Sequence, residues 1–171
     1  MDIRNFDDVV EEYIPKEKAK NKNPLAPVWP FRLLIVAASG SGKTNLTCNL
    51  VLDYLMWDRL YIFAPDLTED KYVYLIGMLK AVEEKYNEIN ETNEQKVFFS
   101  DNPDEIPDVN ELDPAFQNLV VIDDAVINKK ANEKVSELLI RGRKRNASII
   151  YQTQSFFNVP KVMRLQANYV V

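Results

Sequence analysis

The chain has 171 residues, 46% of them hydrophobic, and 21 Lys and Arg against 26 Asp and Glu give a net charge of -5. That length suits one compact domain with a sizeable core, and the charge excludes a global basic field that would draw it to nucleic acid. Histidine is absent, which excludes imidazole bases, the Ser-His-Asp triad and most catalytic zinc sites.

Residues 1–30 read as an extended lead-in. The stretch YIPKEKAKNKNPLAPVWP is rich in Lys, Asn and Pro, with a short helix expected around Phe6–Tyr13. The acidic start MDIRNFDD does not read as a signal peptide, and the apolar runs fall well short of a membrane span. An intracellular, non-secreted protein with no membrane partner is therefore expected.

From Phe31 the pattern alternates. Strands are expected at Arg32–Ala37, Arg59–Phe63, Lys96–Phe99, Leu119–Ile122, Ala147–Tyr151 and Asn168–Val171. Helices are expected at Asn45–Trp57 (Leu46, Leu50, Tyr54, Met56), Glu69–Tyr86 (Leu75, Leu79, Val82) and Asn132–Ile140 (Val135, Leu138, Leu139). The acidic stretches NEINETNEQ and DNPDEIPDVNELDP read as surface loops. Alternating strands and helices predict an α/β fold, a mostly parallel central sheet with helices on both faces. Ligands of such sheets sit beyond the carboxyl ends of the strands.

The first strand runs into AASGSGKTN, residues 37–45. Strand, Gly/Ser turn, Lys-Thr and helix together read as a phosphate loop, in which glycines let backbone N–H groups turn inward around an anion, with a Gly/Ser turn carrying an incidental lysine as the plain alternative. Ser39, Gly40, Ser41, Gly42, Lys43, Thr44 and Asn45 are the candidate nucleotide-binding residues. The Lys43 ammonium would bridge the β- and γ-phosphates of ATP, and the Thr44 hydroxyl would ligate Mg²⁺. Ala37 stands where the pattern has glycine; one extra methyl fits there if φ stays negative. Cys48, just after the loop, is the single cysteine; it cannot make an internal disulfide and reads as a buried structural thiol.

Further along, NLVVIDDA is a buried strand ending in two carboxylates. Asp123 is the Mg²⁺-side candidate and Asp124 the candidate general base for an attacking water. A strand running into a helix cap is the plain alternative for that string. In ASIIYQTQS the strand turns polar at Gln152 and Gln154. Gln154 is favoured as a γ-phosphate or water sensor, Gln152 is the lesser candidate, and sheet-edge hydrogen bonding is the alternative.

Between them IRGRKRN carries Arg141, Arg143, Lys144 and Arg145. Three readings stand: a solvated helix end, an arginine finger reaching a neighbouring subunit's nucleotide (Arg143 the representative, Arg164 a further candidate), or contacts to DNA phosphates.

Taken together, PFRLLIVAASGSGKTNL, LVVIDDA and RGRKRNASIIYQTQSFFNVPKVMRLQANYVV resemble the poxvirus-type genome-packaging ATPases of large DNA viruses, in the FtsK–HerA branch of the P-loop NTPases. The resemblance runs from about Pro30 to the last residue. It implies a RecA/FtsK-like three-layer sandwich over residues 31–171, with Lys43 and Thr44 in Walker A, Asp123 and Asp124 in Walker B, and Gln154 as sensor. It further implies an arginine acting in trans within a homo-oligomeric ring, ATP with Mg²⁺, and translocation of double-stranded DNA into a capsid, with capsid or portal components as partners. Such ATPases usually run on past the strand in which NYVV falls, so a shortened chain is expected. A nucleotide-binding assembly module and a small-molecule kinase remain as alternative functions.

Overall fold

The computed structural model describes residues 23–123 and 129–171, apart from the side chains of Lys129 and Asn158. The helix expected at Phe6–Tyr13 and the carboxylate at Asp124 lie outside the described residues.

Six strands form one sheet: β1 (Arg32–Val36), β2 (Arg59–Phe63), β3 (Val97–Ser100), β4 (Asn118–Asp123), β5 (Ala147–Thr153) and β6 (Tyr169–Val170). Their order is β3-β2-β4-β5-β1-β6, and every pairing is parallel. The two central strands are the most deeply buried, β4 along all but its last residue and β5 along its whole length. That is the expected burial of strands covered on both faces.

Two cores result. On the first face, Leu33, Ile35, Leu60, Ile62, Leu119, Val121 and Ile150 pack beneath α1 (Lys43–Asn49) and α2 (Asp70–Asn90). On the second, Leu34, Val120, Ile122, Ile149 and Tyr151 pack beneath α3 (Lys129–Arg141) and α4 (Lys161–Gln166). Each fully buried aliphatic side chain contributes about 1.5–3 kcal/mol relative to leaving it in water.

Several expectations need correction. The helix after the phosphate loop begins at Lys43 and ends in a π-turn over Leu50–Tyr54, so Leu46 and Leu50 pack on the core while Tyr54 and Met56 are exposed. α2 runs through NEIN to Asn90, where a loop was expected. Its buried stripe is Tyr72, Leu75 and Leu79; Val82 faces out, because it lies with Tyr74 and Met78 on a stripe rotated away from the sheet. The acidic connection after β3 holds a 3₁₀ turn at Pro103–Glu105 and buries Ile106, Val109 and Leu112 on the second face. α4 was missed: a short helix behind a proline leaves little periodicity to read. β5 continues two residues beyond Tyr151, which takes Gln152 into the sheet.

The last residues of the lead-in dock. Trp29 is buried, its ring meets Phe31 edge-on at 5.7 Å, and its indole N–H donates to Asn146 Oδ1 at 2.8 Å.

Candidate functional site

β1, β4 and β5 bring the candidate residues to one edge. β5 lies between β1 and β4, with Gln152 in register with Asp123 on one side and Ile35 on the other. Neighbours in register on parallel strands project to the same face. Ile35 belongs to the core beneath α1 and α2, so Asp123 and Gln152 project to that face too. The phosphate loop leaves β1 two residues after Ile35 and feeds α1 on the same face. Lys43 at the head of α1 and Asp123 at the tip of β4, remote in the chain, thus share the carboxyl edge and one face of the sheet.

The loop is anchored at its start by the Ala37 N–H, which donates to Thr153 O at 3.1 Å. Gly40 has φ 75° and Gly42 φ 99°, left-handed conformations that other residues adopt only at a cost. Ala37 is not among the residues of positive φ, which besides glycine are Glu91 and Asn146 in the described chain, so its methyl is tolerated. Inside the turn, the Ala38 carbonyl accepts from Ser41 N–H at 3.3 Å and from the Ser41 hydroxyl. The Lys43 ammonium folds back across the mouth and donates to Ala37 O at 2.7 Å and Ala38 O at 3.1 Å.

At the tip of β4 the Tyr72 hydroxyl donates to Asp123 Oδ2 at 3.0 Å. Burial pushes the Tyr72 phenol well above its ordinary range, and the Asp123 charge and hydrogen bond push it further. The neighbouring Gln152 amide opposes this. Gln152 is fully buried, and neither its amide nitrogen nor its oxygen completes a hydrogen bond. Gln154 lies one residue beyond β5 and is exposed at the same edge. Thr44, in the first turn of α1, is partly exposed, and Asn45 is exposed.

The basic turn lies elsewhere. The turn Gly142–Arg145 immediately precedes β5. Arg143 therefore sits at the amino edge, a strand's length or about 20 Å from Gln154. Arg143 and Lys144 are exposed, Arg141 pairs with Glu137 at 3.1 Å, and Arg145 donates to Asn110 at 3.3 Å. Arg164 lies in α4 against the second face, its guanidinium 5.2 Å from the centre of the Phe156 ring. Arg143 is not brought to the chain's own phosphate loop. Tyr72 escaped the sequence reading, because its spacing with Leu75 and Leu79 marks it as core and only the hydroxyl hints at more.

A small apolar void between β1, β5, α3 and α4 is lined by Leu34, Leu139, Tyr151, Val159 and Met163. It lies on the second face, away from this chemistry. No helix among the described residues is long and apolar enough to cross a membrane.

Comparison with known proteins bears on what this edge is for. The family model described as Poxvirus A32 protein matches residues 18–171. A search of curated protein sequences found no match. Among solved structures, the cytoplasmic domain of EssC is similar at 15% identity and a TM-score of 0.46, covering 82% of this chain and 32% of that one. Thermomonospora curvata EccC (ATPases 2 and 3), in complex with a signal sequence peptide, is similar at 13% identity and a TM-score of 0.42, covering 91% and 33%. The FIGL-1 AAA domain in complex with ADP is similar at 12% identity and a TM-score of 0.38, covering 100% and 63%. The chain thus spans about a third of the first two structures.

Proposed function

The chain belongs to the Poxvirus A32 protein family, and we propose that it is an ATP-hydrolysing motor domain that couples hydrolysis to translocation of double-stranded DNA into a capsid. The observation that carries this reading is the shared edge and face of the phosphate loop, Asp123 and the polar end of β5.

In this reading the backbone N–H groups of Ser39–Lys43 cradle the phosphates, and the Lys43 ammonium steadies charge on the β- and γ-phosphates. Thr44 and Asp123 hold Mg²⁺. Their hydroxyl and carboxylate oxygens fit a hard cation that completes its shell with phosphate and water. The described residues contain no cluster of His, Cys, Asp or Glu able to cage a metal alone, and the orphaned Gln152 amide nearby supports a site built for a further polar group. Bound there, Mg²⁺ would supply charge neutralisation as the γ-phosphoryl bond breaks. Asp124 takes the proton of the attacking water, and Gln154 orients that water. Arg143 lies too far from its own loop to take part and would act only on the nucleotide of an adjacent copy in a ring, which calls for a homo-oligomer.

The test is phosphate release with and without duplex DNA, followed over protein concentration. DNA is expected to raise turnover, and turnover per chain to rise with concentration. Gln154→Ala should retain nucleotide binding and slow hydrolysis about 100-fold. Turnover indifferent to DNA at every concentration removes the motor. Nucleotide binding with no phosphate release leaves an assembly module, and phosphoryl transfer to a nucleoside makes the chain a kinase.

A further inference from the structure

Tyr72 sits in the first turn of α2, and its ring is 2% exposed in the first-face core. A core position there asks only for a ring, and burying a hydroxyl is unfavourable unless it is bonded. The bond it makes is to Asp123 Oδ2 at 3.0 Å, a charge-assisted contact stronger than a neutral one. The same ring lies in the cluster against which Cys48 of α1 packs, and its partner Asp123 is in register with Gln152 of β5. One side chain thus touches or neighbours all three elements that build the edge: the helix after the phosphate loop, the tip of β4 and the end of β5. It is carried by the 21-residue α2, itself fixed to the sheet by Leu75 and Leu79.

We infer that Tyr72 is a positioning residue for Asp123: its hydroxyl restrains one carboxylate oxygen, so that the group meets a magnesium-bound triphosphate in a fixed orientation. Tyr72 itself contacts neither nucleotide nor metal and acts through the acid, as hydrogen-bond partners of metal ligands do elsewhere. The inference rests on the reading that Asp123 serves a metal–nucleotide site.

The experiment uses the full chain and equilibrium binding of a fluorescent ATP analogue, titrated with MgCl₂ and repeated in EDTA. Wild type, Tyr72→Phe, Asp123→Asn and the double variant are compared. Tyr72→Phe is expected to need about tenfold more Mg²⁺ for half-maximal binding, while its affinity in EDTA stays within about twofold of wild type. In the Asp123→Asn background the same substitution is expected to change the Mg²⁺ requirement no further, the mark of two residues acting as one unit. A purely structural tyrosine would weaken binding equally with and without Mg²⁺, or add its effect to that of Asp123→Asn, and either result overturns the inference. Wild-type chain that binds no nucleotide at any Mg²⁺ concentration sinks the metal–nucleotide reading and the inference together. Wild-type binding matched by an identical Tyr72→Phe titration sinks the inference alone.

Discussion

Lys43 donates to the carbonyl oxygen of Ala37 at 2.7 Å, closing the loop with a contact between its lysine and its first residue. The bond uses the backbone of residue 37 and is indifferent to its side chain. Ala37→Gly is therefore expected to leave nucleotide affinity within about twofold and to lower stability by about 0.4–1 kcal/mol through the looser unfolded chain. Lys43→Ala removes the ammonium and is expected to cut turnover by at least 100-fold. Nucleotide titration, denaturant unfolding and phosphate release together check the pair; a large affinity gain from Ala37→Gly would show that the methyl obstructs the site.

The glycines of the loop should respond differently from a helical one. A Cβ at Gly40 or Gly42 meets nothing within 4 Å, yet both sit at positive φ. Alanine at either position is expected to cost about 1–2 kcal/mol through backbone strain alone and to weaken nucleotide binding. Gly77, inside α2 with equally open surroundings, is expected to gain about 0.8–1 kcal/mol on substitution by alanine. Chemical denaturation of the three single variants decides it, and a stabilised Gly42→Ala would contradict the assigned loop conformation.

Arg143 and Lys144 are exposed at the edge opposite the phosphate loop. If they contact DNA phosphates, Arg143→Ala with Lys144→Ala should reduce the slope of log affinity against log salt by about two, since each phosphate contact contributes about 0.9. Nucleotide affinity should not change. If Arg143 instead serves a neighbour's nucleotide, DNA-free turnover at high protein concentration falls about 1000-fold or more. Binding titrations at several salt concentrations, beside turnover without DNA, separate the two roles.

Burial holds the Cys48 thiol above its ordinary range, opposed only in part by the charge of Lys71. The thiol is therefore expected to react with iodoacetamide more slowly at pH 7 than the same cysteine in the urea-unfolded chain. Mass spectrometry of timed samples measures the ratio. Faster reaction in the folded chain would point to an activated cysteine instead of a structural one.

The strands were legible because a parallel sheet buried on both faces writes itself as short apolar runs, such as LVVI in β4 and SIIY in β5. The turn between β1 and α1 was legible because its residue types are dictated by backbone conformation: Gly40 and Gly42 stand where φ is positive. What periodicity could not give was orientation. Val82 sits at plausible helical spacing from Leu75 and Leu79, yet only their packing shows which stripe of α2 turns toward the sheet. Tyr72 escaped for the same reason, since a bond to Asp123 joins residues 51 positions apart and local spacing carries no trace of it. Register was equally hidden; pairing Gln152 with Asp123 requires knowing that β5 lies beside β4.

The neighbours of β1 have a consequence for how the protein is made. Among the described strands β1 pairs with β5 and β6, both about a hundred residues or more further along the chain than the loop it carries. During translation that loop leaves the ribosome with neither flanking strand in place, and more than a hundred residues must follow before Ser148 can receive the N–H of Phe31. Closure of the sheet around β1 is therefore expected to wait until β5 and β6 have emerged, and contacts this distant in sequence make the assembly step slow.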